Sequence, residues 1–156
     1  MKAYLDIETS FDGQISLVGI YIPGREMVQL VGQEVTDVNL ARVLGGVDMV
    51  ITFNGTAFDL PVILRRTGLD VRDMARHRDL LRVCRKRGIK GGLKRIEVLF
   101  GIQRTASVVD GGYAPLLWQR YETYDDREAL DELLAYNRED CMNLEVLESV
   151  LDGLGD

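Results

Sequence analysis

The sequence holds one histidine, two cysteines, three prolines and one tryptophan among 156 residues, and these shortages narrow the chemistry open to it. With His77 as the sole imidazole, a His-rich zinc site and a His–His acid/base pair are excluded. Cys84 and Cys141 lie far apart and form no CxxC pair, so neither a disulfide framework nor a thiolate metal site is expected, and both read as reduced core thiols. No apolar run approaches the roughly 18 residues of a membrane helix. Asp6 and Glu8 interrupt the start of the chain before a signal-peptide stretch can form. The expectation is a soluble, cytoplasmic protein with no membrane partner. Apolar residue is not in short supply: 46% is hydrophobic, which suits one globular domain with a single core. That domain is expected over residues 1–152, with 153–156 as a frayed tail.

Chemistry in such a chain must lean on carboxylates and on the placement of charge. The net charge of −6 conceals a division. Residues 65–104 carry 13 Lys and Arg against Asp70, Asp73, Asp79 and Glu97, a local balance of +9, which leaves −15 on the remainder. A basic middle in an acidic protein reads as a footprint for a polyanion, against the alternative of a salt-bridged surface.

The pattern along the chain predicts strands over 3–7, 16–22 and 27–31, joined by short turns that make them antiparallel neighbours. A helix over 36–44 is stopped by Gly45-Gly46, and the nearly all-apolar run at 48–53 is typical of a strand buried on both faces. A helix through about residue 66 follows, then a short fifth strand at 76–80 and helices over 80–87, 93–100, 113–121 and 127–151. This order describes an α/β domain on a five-stranded mixed sheet whose first three strands are antiparallel, flanked by helices.

Three motifs carry acids. In Tyr4-Leu5-Asp6-Ile7-Glu8-Thr9, strand alternation sends Leu5 and Ile7 into the core and turns Asp6 and Glu8 together to the other face. Adjacent carboxylates repel, and a divalent cation offsets that repulsion. In Asn54-Gly55-Thr56-Ala57-Phe58-Asp59, a buried strand stops and Asp59 opens a helix at the sheet edge where ligands collect in α/β folds. Thr56 and Asp59 also have capping-box spacing, a purely structural use of the acid. In Tyr136-Asn137-Arg138-Glu139-Asp140, Tyr136 and Asp140 lie one helical turn apart on the edge of an apolar stripe, with Asn137 nearer its centre as a satisfied core amide.

As DIE, NGTAFD and YNRED, in that order, the motifs resemble the three of the DnaQ-like 3′–5′ exonuclease family of the ribonuclease H-like superfamily, over residues 3 to about 150. Ala135 occupies the position of the histidine in the histidine branch of that family, so the resemblance is to its tyrosine (DEDDy) branch. The wording is close to that of family B DNA polymerase proofreading domains and of stand-alone predicted exonucleases. The resemblance implies a ribonuclease H-like fold and hydrolysis of phosphodiester bonds at 3′ ends of single-stranded or frayed nucleic acid, releasing nucleoside 5′-monophosphates. It implies two Mg²⁺ or Mn²⁺ ions on Asp6, Glu8, Asp59 and Asp140, with Tyr136 orienting the attacking water. Hard carboxylate donors suit those ions. The expected substrate contacts are Thr9, Asn54 and Phe58 beside the motifs, although helix-to-sheet packing also suits Phe58. Arg82, Arg85, Lys86, Arg87, Lys90, Lys94 and Arg95 are expected on the phosphates. Any coupling to synthesis would pass through a replication or repair protein on another chain. A structure-specific endonuclease of the same superfamily and a non-catalytic binding subunit are the alternatives.

Overall fold

Alternation along the first strand organises the molecule. In the computed structural model, which describes residues 1–105 and 111–155, strand β1 (Lys2–Thr9) sends Ala3, Leu5 and Ile7 into one core and turns Lys2, Tyr4, Asp6 and Glu8 the other way. Its neighbours are β2 (Ile15–Tyr21), then β3 (Val28–Val31), both antiparallel, and on the other side β4 (Met49–Thr52) and β5 (Arg76–Asp79), both parallel. The order is β3-β2-β1-β4-β5. The expected five-stranded mixed sheet is therefore present, with its first three strands antiparallel.

Helices cover both faces. Helix α1 (Asp37–Leu44) starts at Thr36, whose hydroxyl accepts the Asn39 N–H at 3.1 Å. With α2 (Asp59–Thr67) it buries Leu40, Leu44, Leu60 and Ile63 against Leu5, Ile7 and Val50. Between α2 and β5 lies a four-residue helix, α3 (Val71–Met74), which the sequence pattern does not predict; Asp70 caps it and only Val71 is buried. On the opposite face α4 (Leu80–Lys86), α5 (Leu93–Leu99) and α7 (Arg127–Gly153) bury Leu80, Cys84, Ile96, Leu144, Leu147 and Leu151 against Tyr4 and Ile51. Each such side chain contributes about 1.5–3 kcal/mol on burial. Helix α6 (Ala114–Tyr124) packs beside α7 in a third cluster around Leu17, Leu117 and Leu133. Both cysteines are buried free thiols, as expected. Helix α7 continues through Gly153, into the expected tail, and Asp156 lies outside the described residues. Among the described residues no helix is long and apolar enough to cross a membrane.

Two local devices fix the end of the sheet that matters. Asp79 caps α4 through the Leu81 N–H (3.0 Å) and also receives the N–H groups of Asn54 (2.8 Å) and Thr56 (3.1 Å), so one carboxylate pins the loop after β4. These bonds hold the Asp79 carboxyl below the usual carboxylate range although burial works against it. Asn54 itself sits in the left-handed region at φ 64°, which asparagine tolerates better than most residues. The capping box suggested by Thr56 and Asp59 is absent: Phe58 is the N-cap and bonds nothing with its side chain. The Asp59 carboxylate is taken instead by the β1 backbone.

At the other end, α7 is locked to β1. Buried Glu148 accepts from Tyr4 Oη (2.6 Å), Lys2 Nζ (3.1 Å) and Arg78 Nη1 (2.7 Å).

Candidate active site

Because β1 turns Asp6 and Glu8 toward α7, and Asp140 lies on the inward edge of that helix, the three carboxylates meet. Each offers an oxygen within 4.8 Å of the other two. Asp59 stands behind them, with its Oδ2 accepting the Ile7 N–H at 3.1 Å and its charge felt by Asp6. Burial, reinforced by Asp59, pushes the Asp6 carboxyl up to about 7. Burial likewise pushes Asp59 up to about 7 and raises Glu8 well above the carboxylate range.

Asp6 is also oriented. Asn137, fully buried, donates its Nδ2 to both the backbone oxygen (3.2 Å) and Oδ2 (3.1 Å) of Asp6. Its Oδ1 accepts from Gln29 Nε2 at 3.0 Å, and that same nitrogen donates to the Leu134 carbonyl at 2.8 Å. The chain of bonds runs from β3 over β2 to β1, and it crosses β2 at Gly19. A Cβ there would overlap Asn137 Oδ1 and stand 2.8 Å from Cys141 Sγ.

Asp140 is met by cations. Lys94 Nζ lies 2.5 Å from its Oδ1, and Arg104 bonds the same oxygen while its Nε reaches Glu97 at 2.6 Å. Both cations lie over the Tyr136 ring, at 4.6 and 5.4 Å from its centroid. Tyr136 is buried, and burial raises its phenol above the ordinary value. Lys94, expected on substrate phosphates, thus pairs with Asp140 in this structure.

The donor set fits a hard divalent cation. Three carboxylates crowd together with no imidazole among them, and burial pushes the nearby Cys141 thiol so far up that it offers no thiolate. Asp6, Glu8 and Asp140 would hold such an ion directly, with Asp59 next in reach.

A groove of about 810 Å³ is lined by Phe53, Asn54, Leu81, Arg85, Lys90, Gly91 and Gly92, the last of these lying two residues before Lys94, which pairs with Asp140. Of the expected substrate contacts, Asn54, Arg85 and Lys90 share this groove. Phe58 is 42% exposed, so its ring is only partly covered. Thr9 ends β1 just past a shift in register and is partly exposed. The structure does not bring the remaining basic residues to this groove: Lys86 turns to the other side of α4, and Arg87 and Arg95 are exposed on flanking segments. Gln29, Gly19 and Arg104 were not anticipated from sequence; for Asn137 the available signal was an amide at the centre of an apolar stripe.

Among curated proteins none matches the chain. A family model, RNase_H_2, described as RNase H superfamily, matches residues 3–151. Sheet order, clustered acids and this match agree, and the chain belongs to the RNase H superfamily.

Proposed function

We propose that the protein is a metal-dependent 3′–5′ exonuclease that removes nucleoside 5′-monophosphates from single-stranded or frayed ends. One observation carries the reading: Asp6, Glu8 and Asp140 converge beside a buried tyrosine one helical turn from Asp140, with Asp59 adjoining. That is a constellation for phosphodiester hydrolysis at an end. Two Mg²⁺ or Mn²⁺ ions bound there would supply a hydroxide near neutral pH and relieve charge on the leaving 3′ oxygen.

The chain's own groups do the rest. Asn137 and Gln29 keep the Asp6 carboxylate in one orientation, so that ligand geometry is set before substrate arrives. Tyr136, protonated at neutral pH, orients the attacking water through its hydroxyl rather than taking its proton. Asn54 and the exposed Phe58 ring meet the terminal nucleotide, by hydrogen bonding and stacking. Arg85 and Lys90 hold its neighbouring phosphates.

The test uses 3′- and 5′-labelled DNA and RNA oligonucleotides with Mg²⁺, Mn²⁺ or chelator. The expected products are mononucleotides released from the 3′ end, abolished by chelation and by Asp6→Asn. Internal fragments would mark an endonuclease, and binding without cleavage a non-catalytic subunit; either overturns the proposal.

A further inference from the structure

The basic segment does not form one surface, and the way it divides points to a second binding site. Helix α4 separates two concavities. Leu81 and Arg85, one turn apart, line the groove shared with Asn54 and Gly91-Gly92, whereas Arg82 and Lys86, each one residue further on, line a pocket of about 500 Å³ along the outer edge of β5. The loop after β4 divides in the same way, with Asn54 facing the first and Thr56 the second. The two concavities thus lie on adjacent faces of one helix, about 100° apart around its axis.

We infer that the β5-edge pocket is a second phosphate-binding site, which holds sugar-phosphate backbone remote from the end gripped at the acids. The nature of the polyanion rests on the nuclease reading; binding itself does not require cleavage. The pocket wall contains Arg72, Arg76, Arg78, Arg82, Lys86 and His77 against a single acid, Asp79. The Asp79 oxygens are engaged by three backbone N–H groups. Arg72 is paired with Asp70, and Arg78 with Glu148 and Asp152. Arg76, Arg82 and Lys86 are exposed and enter no ion pair among the described residues.

A structural use for edge charge exists: cations along an outer strand stop two sheets from pairing. Arg76 on β5 meets that need, but it leaves unexplained why α4 turns Arg82 and Lys86 to the same pocket. Outside residues 65–104 the chain carries −15, so this flank concentrates the positive field and favours a ligand that spans both concavities. A mononucleotide reaches one of them only.

The experiment measures metal-free binding by fluorescence anisotropy, with chelator and in an Asp6→Asn background, so cleavage plays no part. Probes are oligothymidylates of four and of sixteen residues. Arg76→Glu/Arg82→Glu is expected to weaken the long probe about tenfold or more and the short probe less than about twofold. The slope of log affinity against log salt should fall by roughly 1.4, about 0.7 for each lost contact. Arg25→Glu/Arg127→Glu, with the same change in total charge elsewhere, is expected to leave both within about twofold. Thermal unfolding monitors the fold, and Arg82→Gln alone, on an exposed helix position, is the milder variant, expected to weaken the long probe about threefold. The inference is overturned if the long probe binds as before, if both lengths weaken alike, if the control pair acts equally, or if the parent protein binds neither probe. Absence of nuclease activity in the parent, with length-dependent weakening intact, would remove the proposed reaction and leave this site standing.

Discussion

Tyr136 is shaped by its neighbours more than by its own acidity. Its ring is buried under Lys94 and Arg104, and burial raises the phenol, so the hydroxyl keeps its proton throughout the neutral range. Replacing Tyr136 by Phe removes only the oxygen. We expect kcat to fall about 100-fold, the cost of misplacing a reactant by about 1 Å, with Mn²⁺ affinity unchanged in a titration. Full activity of Tyr136→Phe would remove the phenol from the reaction. That Asp6 shares a face with Glu8, and Tyr136 with Asp140, was legible because strand and helix periods decide it; that the two pairs belong to one site was legible only through the resemblance of the three motifs to a known family. Asn137 was legible only as a buried amide: its bond to Asp6 depends on Gln29 and on the missing Cβ of Gly19, which lie on two other strands. Phe58 was ambiguous for a similar reason, since exposure of a ring at a helix start is set by what packs over it.

Strand β1 and helix α7 form the axis on which the acids are aligned. Every β1 side chain on the α7 side is engaged with that helix. Lys2 and Tyr4 bond Glu148, Asp6 bonds Asn137, and Glu8 joins Asp140. Glu148→Ala should leave the Tyr4 hydroxyl without its acceptor and Arg78 with Asp152 alone. Loss of one partner from an enclosed ion pair costs about 3–5 kcal/mol. Lys2 and Arg78 keep some solvent contact, at 48% and 28% exposure, so about 2 kcal/mol is expected in urea unfolding. Glu148→Gln should recover part of it by still accepting from Tyr4. A Glu148→Ala protein as stable as the parent would show that the lock is ornamental. The principal elements were legible because their apolar periods are long and glycines mark their ends. Helix α3 was not, having one buried residue in four, and the capping box failed because Ile7 and Asp79 capture the groups that would have formed it. The partition of cations by α4 was equally hidden: it follows from where β5 and the loop after β4 lie against the helix.

For the molecule as a whole, the crowded acids couple stability to pH and to metal. Asp6 and Asp59 are pushed up to about 7 in the folded protein and Glu8 is raised as well, whereas the unfolded chain releases these protons near pH 4. Between those values the folded state binds more protons, so these groups destabilise the metal-free protein progressively as pH rises toward and through 7. Unfolding with chelator should therefore show lower stability at pH 8 than at pH 6. Mg²⁺ or Mn²⁺ should restore more at pH 8, because the ligands must be deprotonated to bind it. A larger metal effect at pH 6 would contradict the assignment of these acids as ligands. One consequence bears on anyone wishing to toughen the protein. Glycine inside a strand invites replacement by alanine or valine, a standard route to a stiffer sheet. At position 19 that improvement would evict the Asn137 amide from its crossing point. We expect Gly19→Ala to keep its circular dichroism spectrum yet bind Mn²⁺ about tenfold more weakly, the size of effect seen when a ligand's outer hydrogen bond is lost. The smallest residue on the second strand would then prove to be the one that the Asp6 carboxylate can least spare.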